Sequence, residues 1–159
     1  MPTLPQLIEE DVERLNAELK ELVEKSDATT ALIIDQGGFL ITSQGQTAQF
    51  DLTTIAALAS GAYLANQTIA NLVHETNFNS VYQQGENYSM FIVCVDVHCL
   101  LVVIFKAQLS VGVVKYFALP AAQAVARQLE IARVRDPSSG LDLSELNLVN
   151  TTELFKRKS

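Results

Sequence analysis

Between Asp51 and Glu75 the chain carries no charged side chain, yet its apolar residues recur at helical spacing. A helix without charge is not a solvated surface helix. One face must lie on a core, and an uncharged neighbouring face calls for a second packing partner. From Leu52 to about Glu75 one face gathers Ile55, Leu58, Ala62, Ala65, Ile69 and Leu72, and the adjoining face carries Ala56, Ala59, Tyr63, Asn66 and Ala70. The first face is expected to cover a sheet. The second, with Ser60 and Gly61, offers small residues over which another backbone can approach, which would account for a glycine that otherwise costs a helix interior about 1 kcal/mol.

The elements around this helix follow from the same kind of pattern. Leu4, Ile8, Val12, Leu15, Leu19 and Leu22 predict a first helix ending around Lys25 to Ala28, with acids in its first turn where the helix dipole favours them. Thr29 to Asp35 and Phe39 to Ser43 are β-prone runs separated by Gln36, Gly37 and Gly38, the signature of a hairpin. Asp51, or Thr53, is expected to cap the long helix. Asn79 to Gln84, Tyr88 to Asp96 and Cys99 to Phe105 read as three further strands. The almost continuously apolar CLLVVIF suits a central strand covered on both faces. Val113, Val114, Phe117, Ala121, Val125, Leu129 and Ala132 mark a last helix, which Pro120 is expected to kink or split.

A length of 159 residues fits one α/β domain, here residues 1–136, followed by a tail at 137–159. Leu146, Leu148, Leu154 and Phe155 make that tail too apolar for an inert linker, so they are candidate partner-binding residues. The formal charge of −7 argues against nucleic acid as a partner. Met1 to Asp35 holds nine acids and three bases, and no Lys or Arg occurs from Gln36 to Phe105. No run of about 18 apolar residues is unbroken, since Asp96 and His98 interrupt the strongest candidate, and the first residues lack a secretory pattern. A cytoplasmic protein without direct membrane insertion is therefore expected.

Chemistry-bearing constellations are sparse. Cys94 and Cys99 sit in apolar runs and read as core thiols. His74 beside Glu75, and His98 near Asp96, lack a second histidine at metal-ligand spacing, so cap or turn roles are expected. Gln36, Gly37 and Gly38 form no phosphate cradle, and Arg127, Arg133 and Arg135 suit the end of the last helix. No enzyme, metal or cofactor is expected.

The order helix, hairpin, long helix, three-stranded meander, helix resembles the roadblock/LC7 family over roughly residues 7–135. TTALIIDQGGFLITS at Thr29 to Ser43, the charge-free helix at Leu52 to Val73, and CLLVVIFKAQLSVGVVKYF at Cys99 to Phe117 carry the resemblance. It implies a five-stranded antiparallel sheet with the long central helix and the C-terminal helix on one face and the N-terminal helix on the other. The layout is most similar to bacterial members that regulate a Ras-like polarity GTPase, and implies a homodimer paired through long helices and adjoining edge strands. The corresponding interface residues are Ala56, Ala59, Ser60, Tyr63, Asn66, Gln67 and Ala70, with Val81 and Gln83 on the strand. The resemblance further implies a Ras-like small GTPase as partner and stimulation of its GTP hydrolysis without an arginine finger. The alternative is a scaffold subunit with no effect on hydrolysis.

Overall fold

A computed structural model describes residues 4–135. In chain order the elements are α1 (Glu9–Ser26), β1 (Thr30–Asp35), β2 (Leu40–Gly45), α2 (Leu52–Leu72), β3 (Ser80–Gln84), β4 (Tyr88–Cys94), β5 (Cys99–Lys106) and α3 (Val111–Arg133). The strands form one antiparallel sheet in the order β2-β1-β5-β4-β3, so the apolar run of β5 is central, as its sequence requires. Its residues alternate between two cores: Leu101, Val103 and Phe105 on one side, Leu100, Val102 and Ile104 on the other.

The larger core lies under α1 and α3, which bring Leu15, Leu19 and Leu22 against Val114, Ala118, Val125 and Leu129 over Ala31, Ile33 and Phe91. The smaller lies under α2, whose Ala56, Ala59 and Tyr63 meet Leu32, Ile34 and Ile92. The expected fold is present with one correction to its layers. The C-terminal helix shares its face with the N-terminal helix and not with α2. The reason lies in β4 and β5, where Phe91, Val93, Leu101, Val103 and Phe105 present one surface wide enough for two helices side by side.

Local chemistry fixes the boundaries. Asp51 caps α2, its carboxylate accepting from the Thr54 amide at 3.2 Å and the Thr54 hydroxyl at 2.7 Å. Asp27 ends α1 in the left-handed conformation, and Gly38 turns the first hairpin at φ 98°. Gly45 needs its freedom more strictly: at φ 100°, a Cβ there would lie 2.4 Å from the Thr29 carbonyl oxygen. Pro120 does not split α3, which runs unbroken from Val111 to Arg133. The proline is exposed, so the carbonyl deprived of its partner can turn to water.

One polar assembly ties the first and last helices together. Asp11, fully buried, accepts from Arg135 at 2.7 and 2.9 Å, from Gln128 at 2.7 Å and from the Ile8 amide at 2.9 Å. Burial alone would raise its pKa. The Arg135 and Ile8 hydrogen bonds, with Gln128, outweigh that and hold the carboxyl below its ordinary value.

Candidate interaction face on the long helix

The two faces of α2 are exchanged relative to the sequence expectation. Ala56, Ala59, Ser60, Tyr63 and Ala70 are all buried within the protomer, so these five expected interface residues offer little surface to another chain. Leu58, Ile69 and Leu72, expected on the sheet, are 68%, 47% and 74% exposed. Side-chain size explains the exchange. The sheet presents Leu32, Ile34, Ile92, Leu100, Val102 and Ile104 here, and a helix lying on so bulky a surface needs small residues to come close. The Ser60 hydroxyl donates to the Gln36 carbonyl at 2.6 Å, and the Gly38 backbone passes close to Ala57. Tyr63 fills the wider gap further along. Its burial, with the Cys94 thiol beside it, pushes the phenol pKa up to about 12.

What α2 leaves exposed is a continuous uncharged stripe. Leu58, Gly61, Ala65, Ile69 and Leu72 follow one another at intervals of three and four residues, hence on one side of the helix, with the half-buried Ala62 beside them. A Cβ at Gly61 would meet nothing within 4 Å, so glycine there leaves open room on the outer surface. Beside the first half of the stripe runs a groove of about 610 Å³ between α2 and the strands β3 and β4, walled by Ile55, Leu58 and Ala62 on one side and Gln83 and Met90 on the other. Phe50 and Tyr88, in edge-to-face contact at 5.4 Å, also line it. β3 lies at the sheet edge, bonded to β4 alone, so its outer edge continues the same face. Of the remaining expected interface residues, Asn66, Gln67 and Val81 are half-buried, and Gln83 is exposed and lines the groove. Gln67 is committed to the Phe78 carbonyl at 3.0 Å.

The other singled-out residues are structural. His74 takes a left-handed conformation just past α2, and Asp96 turns the chain between β4 and β5 by accepting from the His98 and Cys99 amides at 2.8 and 2.9 Å. Burial, then the nearby Asp96 carboxylate, pushes the Cys99 thiol far up, which keeps it protonated and unreactive. Arg133 lies 2.5 Å from Glu130 and 3.5 Å from Asp96. Among the described residues no group of three or more His, Cys, Asp or Glu could hold a metal ion, and no helix is long and apolar enough to cross a membrane. Leu146, Leu148, Leu154 and Phe155 lie outside the described residues. The Asp11 assembly was not foreseen from sequence. Its only trace is an acid at a position in register with the buried stripe of α1.

The Roadblock/LC7 domain pattern matches residues 15–105, from α1 to the end of β5. The chain belongs to the roadblock/LC7 family. Among solved structures, one described as MglB with a tetrameric arrangement is 30% identical, with TM-score 0.77, over 83% of this chain and 99% of that one. Myxococcus xanthus MglB is also 30% identical, with TM-score 0.70, over 74% of this chain and 95% of its own. The gliding protein MglB of Thermus thermophilus is 29% identical, with TM-score 0.75, over 82% and 99%. No curated protein sequence matches this roadblock/LC7 chain.

Proposed function

We propose that the chain is a homodimeric, non-catalytic regulator of a Ras-like small GTPase, pairing with a second copy through α2 and the β3 edge. The observation that carries this reading is the uncharged stripe from Leu58 to Leu72, continuous with a groove and a free strand edge. Large apolar side chains in such a row are unfavourable in water and become favourable when a like surface covers them. Two-fold pairing brings the stripe against itself, with Gly61, Ala62 and Ala65 letting the helices come close, and turns an open edge strand into an interior one.

The GTPase partner rests on the similarity to the MglB structures over most of the domain. α2, β3 and β4 contain no Lys or Arg, so this surface has no arginine to insert among the phosphates. Stimulation of hydrolysis from here acts by selecting the active conformation of the GTPase. The test is GTP hydrolysis by a small Ras-like GTPase of the same source, with and without this protein, together with co-elution in each nucleotide state. Faster hydrolysis with binding to the GTP form is the expected result. Binding without acceleration points to a scaffold, and no binding in either state removes the GTPase from the proposal.

A further inference from the structure

On the face opposite α2, α1 and α3 lie side by side in opposed directions. Asp11 meets Arg135 at one end, and Leu22 and Lys25 lie with Tyr116 and Phe117 toward the other. Between the helices runs a groove of about 460 Å³. One wall is apolar, with Tyr116, Phe117, Pro120 and Ala124, and Tyr116 is 73% exposed. The other wall belongs to α1, which carries seven acids and three bases, and here presents Glu18 and Glu21. Glu21 and Lys25 pair at 2.8 Å and offset one another, and Arg127 stands beside Ala124, so the negative charge open to an occupant comes from Glu18 and the other acids of α1. An occupant suited to these walls carries apolar side chains followed closely by positive charge.

The chain contains one such segment. Leu154 and Phe155 are followed directly by Lys156, Arg157 and Lys158, the only place in the sequence where three basic residues are adjacent. We propose that residues 154–158 dock in the α1–α3 groove of their own domain, Leu154 and Phe155 against Tyr116, Phe117 and Pro120, and the basic run along the acidic side of α1. Reach is ample. From Arg135 back to Pro120 is about 22 Å of helix at 1.5 Å per residue, and residues 136–153 can span about 60 Å when extended. An apolar pair beside a basic run also suits an anionic membrane. The domain carrying it is itself net acidic, with most of the excess on α1, which opposes approach to such a surface and favours the groove. Docked in this way, the segment occupies the side of the domain that the α2 stripe does not use, and any partner that engages it must first displace it from α1 and α3.

The sequence contains no tryptophan, so Phe155→Trp introduces a single reporter into the full chain. Its emission is expected at shorter wavelength than that of the same substitution in a free peptide of residues 150–159. Tyr116→Asp, at an exposed position that leaves the fold intact by circular dichroism, should return it to the peptide value. Exchanging Lys156, Arg157 and Lys158 for Glu should do the same, and added salt should weaken the shift. Peptide-like emission in the unaltered chain overturns the proposal, as does a shift that ignores Tyr116→Asp. A shift seen only with phosphatidylserine vesicles assigns the segment to a membrane instead. One that vanishes on dilution assigns it to the groove of a second copy.

Discussion

Asp11 carries a carboxylate into a fully buried position and is tolerated there because four hydrogen bonds reach it. A buried charge is stable only while its partners remain, so the assembly responds steeply to the loss of one member. Asp11→Ala removes the acceptor shared by Gln128, Arg135 and the Ile8 amide and should lower unfolding stability by about 3 kcal/mol, read from urea midpoints at pH 7. Asp11→Asn keeps the shape and part of the bonding and should lose less. The pH dependence has a definite sign. The folded carboxyl has a pKa below 3.8, its unfolded value, so the folded state binds the proton less readily and the group's contribution is fully present above about pH 4. That contribution fades as pH falls through 3.8 toward the lower folded value. Asp11→Asn should therefore reduce the slope of stability against pH in that acid range and leave it unchanged between pH 6 and 8.

Helix α2 is the element on which the functional reading depends. Ile69→Asp places a charge on its exposed stripe and should convert a dimer to a monomer in light scattering, with the circular dichroism spectrum retained. Ala59→Arg should instead disrupt the domain, because Ala59 is 2% exposed beneath the helix. A folded protein carrying Ala59→Arg would contradict the packing described here, and an Ile69→Asp dimer would contradict the pairing surface. The same helix marks where sequence reasoning reached and where it stopped. Its start, its Asp51 cap and its approximate extent could all be read from spacing and the absence of charge. Which of its two uncharged sides met the sheet could not, because both are apolar enough. The choice was made by the bulk of Leu32, Ile92 and Val102 across the gap, and those residues become neighbours only after folding. β5 posed less ambiguity: its seven residues from Cys99 to Phe105 are all apolar, which suits a central strand covered on both faces, and all are buried. The Asp11 assembly lay beyond reach for the same reason as the α2 facing, since Arg135 is 124 residues away.

At the scale of the whole molecule, one sheet separates two surfaces of different character. The α2 side is uncharged along its stripe and suited to a copy of itself, while the α1 and α3 side holds the larger core and most of the acid. If pairing through α2 completes the burial, stability must depend on concentration. The thermal midpoint of the unaltered protein should rise as protein is added, because only the folded form pairs, and that of Ile69→Asp should stay fixed. The Asp11–Arg135 joint has a consequence for how such a domain can be built into larger proteins. It brings the start of α1 and the end of α3 to one corner, opposite the α2 surface. Cargo grafted at either side of this corner, or a host protein accepting the whole domain into one of its loops, would enter and leave through a single doorway and leave the pairing surface unobstructed.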